Sequence, residues 1–265
     1  MTSVFGARAL VTGATGGLGH AIARALAARG AHVTLSGRRA EVLEPLATEL
    51  GGAALAADLS DRAALERLVS EAGEVDMLIA NAALPASGEL GDFSPEEIDR
   101  SLEVNLRAPI VLARLLVPAM VERRRGHVVF ISSLNGKAAS ARASLYSASK
   151  FGLRGFALGL RDELRPSGVG VSAVFPGFIR EAGMFADTGV KLPRGVGTRS
   201  PADVGAAVLR AIEEDRAEID VAPLGLRLGA AFAGLAPELA AGMSRRLGSD
   251  RVSAEMVEAQ RGKRS

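Results

Sequence analysis

The sequence predicts a doubly wound α/β fold, a single parallel sheet of seven strands with helices on both faces. Three observations carry this. Short β-rich runs alternate strictly with longer helical ones, the pattern of βαβ units. The β-rich runs are near-continuously apolar, as strands buried on both faces are. A glycine-rich turn, "TGATGGLG" at 12–19, joins the first strand to the first helix. No repeat or low-complexity linker divides the 265 residues, a length that one large domain can accommodate.

The elements follow in order. "ARALVTG" (7–13) reads as a strand and "GLGHAIARALAARG" (17–30) as a helix stopped by Gly30. "AHVTLSG" (31–37) is the second strand, "AEVLEPLATEL" (40–50) a helix and "AALAADL" (53–59) the third strand. Asp61 is placed to cap the helix over 61–73. "VDMLIANA" (75–82) is strand four. Ser94 before Pro95 starts a long helix that runs to about Arg124, with a break between Asn105 and Pro109. "GHVVFISS" (126–133) is strand five, 143–164 a helix, and "VGVSAVFPG" (169–177) strand six. A helix capped by Ser200 covers 201–215, and "AEIDVAP" (217–223) is strand seven. Residues 1–223 thus form the domain, with an irregular insertion at 178–200, and 224–265 a helical tail.

Composition excludes several functions. There is no cysteine, hence no disulfide, thiol catalysis or cysteine-bound metal, and His20, His32 and His127 lack ligand spacing. Aromatics are 4% and net charge is +2, which argues against a nucleic-acid partner. The start is structured too quickly for a signal peptide, and "LGAAFAGLAP" (228–237) is too short to span a bilayer. A cytoplasmic location is expected.

The glycine turn is informative because it lies between a strand and a helix at the start of a βαβ unit. Gly13, Gly17 and Gly19 permit a sharp turn and close approach of a ligand, and the helix N-terminus offers N–H groups and a positive dipole end to a phosphate. Together these are the marks of a Rossmann dinucleotide site. An NAD site wants a carboxylate at the end of strand two. Here Gly37 stands in that place, followed by Arg38 and Arg39, a pair suited to a 2′-phosphate; NADP(H) is therefore the expected cofactor. Asp58 either accepts from the adenine amino group or caps the next helix.

Tyr146, the only tyrosine, lies four residues before Lys150, so the two share a helix face. A phenol titrates near 10, and a nearby ammonium favours its anion. Lowering it by about 2 to 3 units takes roughly 3 to 4 kcal/mol, within reach of a close, partly desolvated lysine. Ser133 ends strand five at the carboxyl edge of the sheet, where open α/β sheets bind ligands.

The glycine loop, "NAA" at 81–83, Asn105, Ser133, "YSASK" and "PG" at 176–177 occur in the order and spacing of the classical short-chain dehydrogenase/reductase family, which residues 5–223 resemble. The resemblance implies hydride transfer between a nicotinamide and a carbonyl or alcohol carbon. Tyr146 is then the general acid or base, Lys150 depresses its pKa and binds the nicotinamide ribose, Ser133 polarises the carbonyl, and Asn105 holds a water in a proton relay. The cofactor would be lined by Gly13, Thr15, Gly16, Gly17, Leu18, Gly19, Arg38, Arg39, Asp58, Leu59, Asn81, Ala82, Ala83, Pro176, Gly177 and Ile179, besides Tyr146 and Lys150. It also implies a homodimer or homotetramer, with the helices near 95–124 and 143–164 as interface candidates.

Two positions depart from the pattern: Ala83 replaces a glycine, and Glu181 replaces a threonine that bonds the nicotinamide carboxamide. Glu181 either takes over that contact or points elsewhere. A non-catalytic NADP-binding sensor or scaffold is the alternative function; a hydrolase lacks its nucleophile elbow here. Specificity is expected from the loop at 178–200 and from the residues between Leu134 and Leu145; in the loop, Phe178, Met184, Phe185 and Leu192 suggest a partly apolar pocket for a small carbonyl or alcohol, and Arg180, Lys191 and Arg194 could meet an acidic group or simply water. In the tail, Phe232, Leu235, Leu239, Met243 and Leu247 fall at helical spacing before a basic end, six cations against three acids from Met243 on. This is either a cover for the pocket or a subunit interface, or a contact with an anionic membrane or a lipophilic substrate entrance.

Overall fold

Alternating apolar runs of these lengths build seven parallel strands: β1 (Arg8–Thr12), β2 (His32–Gly37), β3 (Ala53–Ala56), β4 (Met77–Ala80), β5 (Gly126–Ile131), β6 (Val169–Pro176) and β7 (Glu218–Val221). They stand in the order β3-β2-β1-β4-β5-β6-β7 in a computed structural model that describes residues 2–193, 195–246 and 249–260. The order reverses between β1 and β4, so a crevice opens at the carboxyl ends of those two strands. β3 is shorter than its sequence suggests, because the chain leaves the sheet at Ala57 toward the Asp58–Ser60 turn.

One face of the sheet is covered by α1 (Gly17–Ala28), α2 (Ala40–Leu50) and α7 (Pro201–Glu213), whose Ile22, Leu26, Leu43, Val204 and Val208 pack on Val11, Leu35 and Val174. The other is covered by α3 (Arg62–Ala72), α5 (Ala108–Glu122) and α6 (Ser144–Leu164), which bury Leu65, Leu112, Leu116 and Leu153 against Leu10, Leu78 and Phe130. With aromatics so scarce, aliphatic side chains fill both cores.

Helix starts are set by local chemistry. Asp61 accepts from Ala63 N at 2.9 Å, while Ser94 and Ser200 form reciprocal capping boxes with Glu97 and Asp203, each with proline next. The expected break between Asn105 and Pro109 is a π-helical turn, Glu103–Arg107, between α4 (Pro95–Leu102) and α5. The continuous run Pro95–Glu122 is long and apolar enough to cross a membrane by length and composition. Here Leu112, Leu116 and Met120 pack into the core beneath the sheet.

After β7 the tail folds into three helices, α8 (Leu224–Leu235), α9 (Pro237–Arg246) and α10 (Ser249–Gln260). Pro237 ends one helix and opens the next, as its fixed φ and missing N–H allow at a first helical position. Leu247 and Arg194 lie outside the described residues, as do the last cations, Arg261, Lys263 and Arg264. The insertion at 178–200 contains a short 3-10 turn, Ala186–Thr188, and its ends meet in a parallel bridge between Ile179 and Arg199.

Candidate active site

The segments that follow β1, β4, β5 and β6 converge at the carboxyl edge of the sheet. Asn81 ties two of them together: its Nδ2 donates to the carbonyls of Thr12 (3.1 Å) and Gly13 (3.2 Å). Thr12 Oγ1 in turn accepts from the main-chain N–H groups of Asn81 (3.1 Å) and Ala82 (3.3 Å). Gly13 has φ +65, and a Cβ there would fall 2.6 Å from Ala82 Cα, so this position requires glycine.

The residues of the glycine loop fit an anionic dinucleotide. α1 begins without a side-chain cap, and nothing but the Gly13 carbonyl, at 3.6 Å, approaches a Cβ built on Gly16. Its first-turn N–H groups are therefore available to a phosphate. The turn Glu181–Gly183 roofs the loop: a Cβ on Gly17 would collide with that of Ala182, and Gly183 lies over Leu18. At the end of β2, a Cβ on Gly37 would come within 2.7 Å of Thr15 Cγ2, so Thr15 occupies the place of an acidic side chain. Arg38 and Arg39 are exposed beside it, and Arg39 Nη2 donates to the Thr15 carbonyl at 3.0 Å.

Asp58 does not cap α3; Asp61 does. Its Oδ1 accepts from Ser60 N (2.9 Å) and Ser60 Oγ (2.7 Å), and Oδ2 faces Arg100 at 3.5 Å. Partial burial alone would raise its pKa, but the Ser60 hydrogen bonds and the charges of Arg100 and Arg38 hold it below the ordinary value. Leu59 is buried next to it, in the core under β3.

At the end of β5 the chain is extended at Ser133 (φ −164) and then turns through Leu134–Gly136. Ser133 Oγ accepts from Asn135 N at 3.2 Å, and its hydroxyl lies beside the Tyr146 phenol, where it favours the anion. Lys150 is 2% exposed; its Nζ donates to the Ile131 carbonyl at 3.0 Å and lies 5.7 Å from the centre of the Tyr146 ring. Ser132 Oγ donates to the Lys150 carbonyl at 3.1 Å, and a Cβ on Gly136 would fall 2.7 Å from that same oxygen, so helix and strand end are held in tight register.

The expected depression of the phenol is not what this geometry gives. Burial pushes Tyr146 up to about 12, partly opposed by the Ser133 hydroxyl, and burial pushes Lys150 down to about 8. The reason is that the ammonium's hydrogen bond goes to Ile131 rather than to the phenol oxygen, while Lys150 is buried and Tyr146 keeps only part of its contact with water.

Asn105 sits in the π turn with its side chain closed on the segment after β4. Oδ1 accepts from Leu84 N at 2.6 Å and Nδ2 donates to Leu84 O at 2.9 Å. The turn thereby fixes the loop that also carries Ala82 and Ala83.

These residues, in this order on this sheet, match one known family. The pattern of the short chain dehydrogenases fits residues 7–191. The chain belongs to the classical short-chain dehydrogenase/reductase family. It is 39% identical to the ketoacyl reductase HetN of Nostoc sp. over 230 residues, 83% of this chain and 80% of that one. It is 36% identical to dehydrogenase/reductase SDR family member 7B of Xenopus laevis over 253 residues, 87% of this chain and 78% of the relative. A solved short-chain dehydrogenase from Sphingobium yanoikuyae in complex with NADPH superposes with a TM-score of 0.76 at 30% identity, covering 88% of this chain and 94% of that one.

As a short-chain dehydrogenase/reductase the protein is an oxidoreductase that uses a nicotinamide cofactor. Its two departures from the family pattern resolve differently. Ala83 is half-buried in the strand-four loop. Glu181 turns away: its carboxylate accepts from Arg180 Nε at 2.7 Å, and its backbone is left-handed at φ +73, an uncommon conformation for a residue with a Cβ. Pro176 ends β6, the Gly177 N–H donates to the Val221 carbonyl at 3.1 Å, and Ile179 is buried.

The stretch between Leu134 and Leu145 and the tail are both expected near the pocket from sequence, but the contacts that join them are not. Helix α10 packs on the 3-10 turn of the 178–200 insertion and buries Val252 and Val257. Arg142, with φ +57, donates from Nη1 to the Asp250 carbonyl at 3.1 Å and pairs with Glu89 at 3.3 Å, while its own carbonyl accepts from Gly88 N at 2.7 Å. Loops from β4, β5 and β6 thus meet under α10. Nothing in the local pattern signalled these contacts, which join residues 108 positions apart.

Proposed function

We propose that this enzyme reduces the carbonyl of a small, partly apolar substrate with NADPH, Tyr146 giving the proton. The observation that carries this is the convergence of Ser133, Tyr146 and the buried Lys150 at the carboxyl edge of the sheet. A protonated phenol at neutral pH is the form that reduction requires. Ser133 orients the carbonyl oxygen toward it. The bound cofactor supplies the hydride. Lys150 stabilises the phenolate left after proton transfer and binds the nicotinamide ribose. Since the Asn105 side chain is committed to Leu84, its main chain in the π turn is the group that holds a relay water.

NADP(H) is supported by Arg38 and Arg39, by Thr15 packed where a carboxylate would stand, and by the relative crystallised with NADPH. The Arg38→Ala variant is expected to bind NADPH about 10 to 100 times more weakly, the value of a charge-assisted hydrogen bond, and NADH nearly unchanged. Fluorescence titration with both cofactors checks this; equal losses for the two would remove Arg38 from 2′-phosphate recognition.

The substrate reading rests on the tilted pair Phe178–Phe185, 4.9 Å between centroids, and on the name of the Nostoc relative: a ketoacyl compound or similarly lipophilic ketone. A panel of ketoacyl thioesters and ketones followed by NADPH absorbance tests it; no turnover with any member would leave a non-catalytic NADP-binding protein. Removing residues 249–265 unroofs the loops and is expected to raise KM for the ketone about tenfold, the order of the cost of ordering one or two side chains. NADPH affinity should stay the same; a parallel loss of both would mean that α10 only supports folding. Exposed Phe151 and Leu158 on α6 support a homodimer or homotetramer paired through that helix.

A further inference from the structure

Helix α8 is apolar on almost every side and yet leaves the body of the protein. Of its residues only Ala230 is buried, and the chief element it packs against is α9. Leu224, Leu228, Phe232 and Leu235, with Leu239 and Met243 of α9, are 40% to 86% exposed. They recur at three- and four-residue steps, so each of the two packed helices carries an exposed apolar row. Water-exposed rows of this kind are covered when the protein works.

We propose that the apolar rows of α8 and α9 dock on the surface of an anionic phospholipid bilayer. Their length limits them to lying in the interface: 12 residues of helix reach about 18 Å, against about 30 Å for a hydrocarbon core. The charges fit anionic lipid rather than a second copy. Between Val221 and Ser249 the sequence carries Arg227, Arg245 and Arg246 against one acid, Glu238. Arg245 is exposed, and among the described residues Arg227 is paired only at 3.9 Å, with Asp220. Two copies meeting on these rows would bring cations together with few acids to balance them, whereas anionic headgroups match them. The rows also begin at the right place. Leu224 follows β7 directly at the carboxyl edge, where Ala222 lies 3.0 Å from a Cβ built on Gly177, and α9 leads into α10 over the substrate loops. A docked molecule therefore holds the mouth of its site near the lipid.

The test is co-sedimentation of the full chain with vesicles of phosphatidylcholine alone and of phosphatidylcholine mixed with phosphatidylglycerol. Wild type is expected in the pellet with the anionic vesicles, less so at high salt and least with phosphatidylcholine alone. The pair Leu228→Glu and Phe232→Glu should weaken binding at least about tenfold, and Arg245→Glu should weaken it on anionic vesicles only. Both variants should keep the wild-type melting temperature and NADPH affinity, since the changed side chains touch solvent. Wild type remaining in the supernatant overturns the proposal. So does vesicle binding that survives the paired change, or sedimentation velocity showing that the pair abolishes only self-association. None of these readouts uses turnover, so failure of the proposed reaction leaves the test intact.

Discussion

Replacing Tyr146 with phenylalanine is expected to lower kcat/KM for ketone reduction about 10²- to 10⁴-fold, the usual contribution of a positioned general acid. The ring stays, so its packing in the site stays. What is lost is the proton that the carbonyl oxygen must receive from the phenol beside Ser133. NADPH affinity should change by less than about threefold, because a phenol contributes little to binding that main-chain N–H groups and arginines dominate. Steady-state kinetics with a titration of NADPH fluorescence separate the two effects. A variant retaining more than about a tenth of the rate would assign the proton to another donor.

The Lys150→Met variant should be inactive and more stable. Burial pushes Lys150 from 10.5 down to about 8 in the folded chain, so the unfolded chain binds its proton more readily. The sign follows: stability is complete above about 10.5, falls as pH drops through the window from 10.5 to 8, and stays low below 8. At pH 7 the lysine thus costs about 3 kcal/mol, offset by about 1 kcal/mol for its hydrogen bond to the Ile131 carbonyl. Methionine fills similar volume without the charge and should gain about 2 kcal/mol, or roughly 4 to 8 °C in melting temperature. The gain should vanish near pH 10.5. Melting curves at pH 7 and at pH 10.5 check both halves; a variant less stable at pH 7 would mean that the site solvates the ammonium better than its burial suggests. A lysine kept at such a cost for the proposed reaction would be the familiar trade of stability for function.

Most of the site was legible because its residues sit at strand ends and one helical turn apart. Strand ends are visible as the point where an apolar run stops, which located Gly13, Asn81, Ser133 and Gly177 on one edge. The spacing of Tyr146 and Lys150 located a shared face. The break at Asn105 was visible too, but not its form. In the π turn the Asn105 amide satisfies both main-chain groups of Leu84, a partner 21 residues away. Asp58 had two readings from sequence, and the contact that decided against a cap came from Ser60 and from Arg100 on a distant helix.

The sequence by itself determined the sheet, the caps, the glycine loop and the shared helix face of Tyr146 and Lys150. These depend on periodicity, on local hydrogen bonds and on neighbours along the chain. Tertiary structure alone decided the rest: that Ala182 roofs Gly17, that Arg142 fastens α10 over the loops, that burial raises Tyr146 rather than Lys150 lowering it, and that α8 stays outside. Desolvation and long-range contact depend on which surfaces meet in space. An apolar helix reads the same in sequence whether its own domain covers it or not, and only the fold shows that α8 is left uncovered.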